Sequence, residues 1–134
     1  MSSGLTFLYV EDDMLSSKIM QLLLESMGHS QIYLFEESED FLGKLASLPQ
    51  IPDVIFLDIH VEPHNGFEML EMLRRHDRFA NTRIVALTAS VMNEEISRLK
   101  NAGFDGVIAK PIDQDAFPEL LSRVLRGEKV WRVK

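Results

Sequence analysis

The sequence contains no cysteine, which excludes disulfide scaffolds, thiol catalysis and thiolate metal sites. It has no apolar run near the roughly 18 residues that span a bilayer, and no signal-peptide pattern opens it. Basic residues are scarce, with 14 Lys and Arg against 21 Asp and Glu, so the formal net charge is −7. We therefore expect a cytoplasmic protein that binds neither membranes nor nucleic acid directly.

Short apolar runs alternate with helical patterns along the whole 134-residue chain. The runs cover residues 5–10, 32–35, 54–57, 84–87 and 107–109, and an amphipathic stretch follows each of them. Five repeats of strand and helix predict an α/β fold, a doubly wound parallel sheet between two layers of helices. In the fourth of these helices, Asn93 is the expected N-cap.

The last residues stand apart from this alternation. We expect one domain over residues 4–127, closed by Gly127 after the fifth helix, and a C-terminal tail over residues 128–134. The tail is either docked on the domain or the start of a linker. In a docked tail, Trp131 is expected to pack on the last helix.

Polar residues stand where four of the predicted strands end. Strand one is followed by Glu11, Asp12 and Asp13, strand three by Asp58, strand four by Thr88, and strand five by Lys110. Because parallel strands place their carboxyl ends at one edge of the sheet, we expect these side chains to converge there. Asp13 is interpreted as the N-cap of the first helix instead of as a member of the cluster.

Converging carboxylates repel one another, and a hard divalent cation removes that repulsion. Oxygen-only ligands favour magnesium, manganese or calcium over zinc, and magnesium usually keeps positions for water and phosphate oxygens. Lys110 adds a mobile positive charge and Thr88 a hydroxyl donor. Metal, ammonium and hydroxyl together suit a phosphoryl group, and a carboxylate among them can act as the nucleophile.

The motifs at these strand ends resemble the receiver domains of two-component response regulators, including the single-domain chemotaxis type. The resemblance covers the chain from Leu5 to Gly127 and lies in the following segments: Leu8-Tyr9-Val10-Glu11-Asp12-Asp13, Phe56-Leu57-Asp58-Ile59, Gly66, Leu87-Thr88-Ala89 and Ala109-Lys110-Pro111. It implies a flavodoxin-like sheet in the strand order 2-1-3-4-5 and a cis Lys110–Pro111 bond.

The resemblance also implies a role for each site residue. Asp58 would accept the phosphoryl group from a sensor histidine kinase or a histidine phosphotransfer protein. Mg²⁺, or Mn²⁺ in its place, would be held by Asp12 and Asp58 directly, by Glu11 through water, and by the backbone carbonyl of His60. Lys110 would bind the phosphoryl group, and Thr88 would move to donate a hydrogen bond to it.

Two stretches depart from the family pattern. The loop after the acceptor reads Val61-Glu62-Pro63-His64-Asn65-Gly66, in which the proline is displaced and an amide replaces the acid before the glycine. Val107 stands where many receivers carry the aromatic ring that rotates on phosphorylation. His60 and Ser90 occupy positions that tune the lifetime of the acyl phosphate in the family.

The resulting hypothesis is a signalling switch, not an enzyme acting on an external substrate. It would reset by hydrolysing its own acyl phosphate and would contact an unknown downstream protein through strand five and its flanking helices. A receiver that works without phosphorylation, a flavodoxin-type cofactor binder and an aspartyl phosphatase are the alternatives. The sequence leaves open whether the chain acts alone or forms part of a hybrid kinase.

Overall fold

The computed structural model describes residues 4–131, and its centre is one five-stranded parallel sheet. The strands are β1 (Thr6–Val10), β2 (Gln31–Phe35), β3 (Val54–Asp58), β4 (Arg83–Thr88) and β5 (Gly106–Ala109). Their order is β2-β1-β3-β4-β5, and every neighbouring pair is parallel. The predicted doubly wound α/β fold with strand order 2-1-3-4-5 is therefore confirmed.

Helices cover both faces of the sheet. They are α1 (Met14–Ser26), α2 (Phe41–Ala46), α3 (Gly66–Arg74), α4 (Asn93–Ala102) and α5 (Phe117–Leu125), with one 3-10 turn at Asp77–Phe79. One apolar core lies between the sheet and α1 and α5, and the other lies between the sheet and α2, α3 and α4. None of these helices is long and apolar enough to cross a membrane.

The strands alternate between the two cores, as successive side chains in a strand must. In β1, Phe7 and Tyr9 face the α1/α5 core, and Leu8 and Val10 face the other one. All five residues of β1 are buried, and so are all five of β3. The central strands are thus fixed by packing on both faces, which leaves their carboxyl ends at a defined edge of the sheet.

The starts of α1 and α3 follow local capping rules, whereas the start of α4 differs from the sequence prediction. The Asp13 carboxylate accepts the N–H of Leu15, so the predicted N-cap of α1 is confirmed. Asn65 and Glu68 form a reciprocal capping box at the start of α3. Asn93, however, is the first helical residue of α4 and not its N-cap, which is Met92 and makes no side-chain capping bond.

The chain after α5 returns to the sheet beside β5. Val130 pairs with Gly106 as a parallel bridge, and its side chain is fully buried. Trp131 packs against the core on the α4 side, with the Lys100 Nζ atom 5.3 Å from the centre of its ring. The expected packing of Trp131 on the last helix is therefore replaced by contacts with the opposite helix layer, because the tail follows the strand edge.

The predicted tail extends past these contacts, and its residues 132–134 lie outside the described part of the chain. The boundary between a domain over residues 4–127 and a tail over residues 128–134 stays a prediction.

Candidate functional site

The sheet brings four chemically active residues to one edge. Glu11 directly follows β1, Asp58 and Thr88 are the last residues of β3 and β4, and Lys110 directly follows β5. The parallel registers of β1, β3, β4 and β5 place all four at the carboxyl ends of adjacent strands. This is the edge at which open α/β sheets bind their ligands.

Three carboxylates at this edge can share one cation. One oxygen from each of Glu11, Asp12 and Asp58 lies within 4.8 Å of the other two. Glu11 and Asp58 are buried, with 1% and 4% of their surface exposed, whereas Asp12 is open to solvent. An all-oxygen donor set with one solvent-facing member fits a magnesium ion that retains part of its water shell.

Lys110 supplies the positive charge within the cluster. Its Nζ atom lies 2.6 Å from Glu11 Oε1 and 3.2 Å from Asp58 Oδ2, so the ammonium bridges the two buried carboxylates. Burial lowers the pKa of Lys110, but the two carboxylates outweigh it and hold that pKa above its ordinary value. The following Lys110–Pro111 bond is cis, as the family resemblance implies.

The two buried carboxylates differ in their tendency to hold a proton. Burial raises the pKa of Glu11, and the neighbouring Asp58 raises it further. Burial acts on Asp58 in the same sense, but the adjacent Glu11, the hydrogen bond from the His60 N–H and the Lys110 charge leave its pKa below the ordinary value. A lowered pKa favours the ionised form of Asp58, which is the form that acts as a nucleophile.

Tyr9 is a site residue that the sequence analysis treated only as part of an apolar strand. Its hydroxyl donates a 2.7 Å hydrogen bond to Glu11 Oε1, and the contact is buried. Burial, followed by the Glu11 carboxylate, raises the pKa of Tyr9 far above its ordinary value, so the phenol stays protonated. Residues two apart along a strand point to the same face, so strand periodicity places Tyr9 and Glu11 side by side, but the hydrogen bond between them depends on packing.

Thr88 and Ser90 are joined at the end of β4. Thr88 is fully buried, and its Oγ1 atom accepts a 3.0 Å hydrogen bond from the Ser90 N–H. The hydroxyl proton of Thr88 is thereby left to act as a donor. Thr88 also follows Leu87, the register partner of Asp58, so it lies next to the acceptor strand.

His60 and Val107 are the other residues that the sequence analysis singled out. The His60 N–H donates a 3.1 Å hydrogen bond to Asp58 Oδ1, and the residue itself is exposed. Val107 is fully buried in the middle of β5 and pairs with Ala86. The aliphatic side chain at position 107 is thus a core residue, with no exposed surface.

The divergent loop after Asp58 is tied to the start of α2. The Ser38 N–H donates to Glu62 O at 3.1 Å, and the Ser38 hydroxyl bonds both the O and the N of His64 at 2.6 Å. Gly66 ends the loop where an added Cβ would lie 2.7 Å from Ile59 Cδ1 and 3.0 Å from its Cα. The loop therefore follows a fixed path, which includes a cis Glu62–Pro63 bond that the sequence analysis did not predict.

Comparisons with known proteins point in one direction. The family model described as "Response regulator receiver domain" matches residues 7–122. The polar-differentiation response regulator DivK of Brucella anthropi is 28% identical over 87% of this chain and 92% of its own length. Sensor histidine kinase AruS of Pseudomonas aeruginosa is 34% identical over 91% of this chain.

Among solved structures, chemotaxis response regulator CheY4 of Vibrio cholerae superposes with a TM-score of 0.80. The two chains are 23% identical, and the match covers 90% of this chain and 98% of CheY4. Many curated relatives are much longer proteins: this chain spans 12% of AruS and 10% of hybrid signal transduction histidine kinase C of Dictyostelium discoideum.

Proposed function

This chain belongs to the response regulator receiver family, and we propose that it accepts a phosphoryl group on Asp58 in a magnesium-dependent step. The family is one of signalling domains, not of enzymes that act on external substrates. The observation that carries the proposal is that the Lys110 ammonium contacts both Glu11 and Asp58. These contacts lie inside a carboxylate cluster of the size that a divalent cation needs.

Asp58 supplies the nucleophile. One carboxylate oxygen attacks the phosphorus of a phosphohistidine, a P–O bond forms as the P–N bond breaks, and the histidine nitrogen leaves with the bonding pair. The His60 N–H and the Lys110 ammonium each hold one oxygen of Asp58, which orients the carboxylate before the reaction. Hydrolysis of the aspartyl phosphate by water returns the carboxylate and releases phosphate.

The donors for a metal ion are arranged around the acceptor. Asp12 and Asp58 would bind Mg²⁺, or Mn²⁺, directly, Glu11 would do so through water, and the backbone carbonyl of His60 would complete the protein ligands. When bound, the cation neutralises charge on the phosphoryl oxygens. The burial of Glu11 and Asp58 supports this assignment, because two buried carboxylates with one lysine carry a net negative charge that a cation would offset.

Lys110 and Thr88 respond to the modification. The Lys110 ammonium, held at present by two carboxylates, would move to an oxygen of the phosphoryl group, and the Thr88 hydroxyl proton would be donated to another. His60 and Ser90 occupy the positions that tune the lifetime of the acyl phosphate in the family, and we expect the same role here. With Val107 buried at this position, the change cannot reach the surface by rotation of an aromatic ring there.

The partners follow from the family. We propose that a sensor histidine kinase or a histidine phosphotransfer protein in the cytoplasm supplies the phosphoryl group, and that an unidentified downstream protein binds the surface formed by α4, β5 and α5. The curated relatives include both histidine kinases and response regulators. A receiver that works without phosphorylation is disfavoured by the complete set of acid pair, acceptor, hydroxyl and lysine.

The test is chemical labelling by a small phosphodonor. The protein is incubated with acetyl phosphate and Mg²⁺, and intact mass is measured for the wild type, Asp58→Asn and Asp115→Asn. Asp115 is an exposed acid outside the cluster and serves as the matched control. We expect one base-labile phosphoryl group on the wild type and on Asp115→Asn, none on either protein when Mg²⁺ is chelated before the donor is added, and none on Asp58→Asn. An unlabelled wild type would contradict the proposal.

A further inference from the structure

The Tyr9 side chain, on strand β1, extends from the α1/α5 core to the carboxylate cluster. Tyr9 is 1% exposed, and its ring packs edge-on against Phe56, with ring centres 6.3 Å apart and an interplanar angle of 80°. A buried ring has few alternative positions, so the packing fixes the location of the hydroxyl. That hydroxyl donates a hydrogen bond to Oε1 of Glu11, and the Glu11 side chain has no exposed surface.

The Glu11 carboxylate depends on three donors. Oε1 accepts from Tyr9 at 2.7 Å and from Lys110 at 2.6 Å, and Oε2 accepts from the Asp13 N–H at 3.2 Å. Two of these donors belong to the strand and the loop that carry Glu11, and they keep their positions. Lys110 is different, because its flexible side chain is the group expected to turn toward a phosphoryl oxygen.

We propose that Tyr9 is a positioning residue for the metal site: it holds the Glu11 carboxylate in place and keeps Oε1 hydrogen-bonded when Lys110 leaves. This inference rests on the proposed function and deepens it. A buried carboxylate oxygen that is left without a donor is strongly destabilised, and the carboxylate would then rotate out of place. With Tyr9 present, Oε1 retains one rigid donor in both states of Lys110.

Glu11 also has a longer side chain than an aspartate at the same strand end would have. Three rotatable bonds separate its carboxylate from the backbone, so a fixed orientation requires a contact near the end of the side chain. Tyr9 lies two residues earlier on the same face of β1 and provides that contact. The pair Tyr9 and Glu11 therefore acts as one unit: the glutamate reaches the site, and the tyrosine orients it.

The experiment compares the two tyrosines of the chain. Tyr9→Phe removes one oxygen and keeps the ring, whereas Tyr33→Phe makes the same change in the half-buried strand β2, away from the cluster. Mg²⁺ is titrated into each 134-residue protein, and the dissociation constant is read from amide NMR shifts. We expect binding to weaken roughly tenfold in Tyr9→Phe and less than twofold in Tyr33→Phe.

A third background separates positioning from a general effect on the fold. In Glu11→Ala, removal of the Tyr9 hydroxyl should change the Mg²⁺ dissociation constant less than twofold, because the group on which it acts is gone. Equal or tighter binding by Tyr9→Phe would overturn the inference, and so would an undiminished effect in Glu11→Ala. A wild type that binds no Mg²⁺ would instead overturn the proposed function.

Discussion

Gly106 and the chain after α5 make a direct prediction about how the tail is held. A Cβ at position 106 would lie 2.8 Å from the carbonyl oxygen of Val130 and 3.3 Å from its nitrogen. Both atoms are backbone, so Gly106→Ala cannot be accommodated by rotation of a side chain. We expect the substitution to displace the segment around Val130 from the edge of β5.

The size of the effect follows from what the segment contributes. Burial of the Val130 side chain stabilises by about 2 kcal/mol. The two edge hydrogen bonds, from Val107 N to Val130 O at 2.7 Å and from Val130 N to Asp105 O at 3.2 Å, add about 1 kcal/mol each. Ordering residues 129–131 costs about 1 kcal/mol for each residue. The net loss is about 1 kcal/mol, or a melting temperature lower by roughly 4 °C.

Trp131 makes the displacement visible, because it is the only tryptophan in the chain. In Gly106→Ala its emission should shift to the red as the ring leaves the core near Lys100. The decisive control is the same substitution in a chain that stops at Gly127, where we expect a loss below about 0.5 kcal/mol. An equal loss in both backgrounds, or an unshifted emission in the full chain, would refute the argument.

Three further predictions concern charged groups. Burial raises the pKa of Asp105, but Lys129, the Ile84 N–H and Arg74 together hold it below its ordinary 3.8. Asp105 therefore stabilises the fold above its ordinary pKa, and this contribution is lost as pH falls through its lowered pKa. Asp105→Asn should cost about 2 kcal/mol at pH 7 and progressively less as pH falls below 3.8, measured by urea unfolding. The Lys110 ammonium competes with Mg²⁺ for the carboxylates of Glu11 and Asp58. Lys110→Met removes this competitor and should tighten Mg²⁺ binding about tenfold in an NMR titration. Because the pKa of Glu11 lies above its ordinary 4.5, protons should displace Mg²⁺ as pH falls toward that raised value, and titrations at stepped pH would show the midpoint.

The sequence predicted the sheet and the strand-end residues because both depend on local patterns. Alternating runs and helices determine a parallel sheet, and a parallel sheet must bring Asp58, Thr88 and Lys110 to one edge. The same reasoning was incomplete for Tyr9, since a tyrosine inside an apolar run is ordinarily a core residue. Whether Tyr9 is only a core residue or also a site residue is decided by the position of its hydroxyl beside Glu11, which depends on packing.

Features that depend on distant parts of the chain could not be predicted in this way. The pairing of Val130 with Gly106 joins the tail to β5, and no local pattern around either residue indicates it. Likewise, Ser38 bonds the backbone of the loop that follows Asp58 from another strand–helix connection. Asparagine is favoured at the N-cap by about 1 kcal/mol, yet α4 begins at Asn93 itself and Met92 is its N-cap.

The occupied edge of β5 leaves the sheet with unequal sides. Beside β5, Val130 uses the backbone groups of Asp105 and Val107, whereas β2 forms the opposite edge of the described sheet. The five residues of β2, Gln31–Phe35, carry no charge that would repel a second strand. If two copies join edge to edge, a two-fold axis requires β2 to lie antiparallel to its own copy, and the product is a continuous sheet of twice the width. Because Val130 occupies backbone groups beside β5, β2 is the edge of the described sheet that stays open along its length to pairing with a further strand.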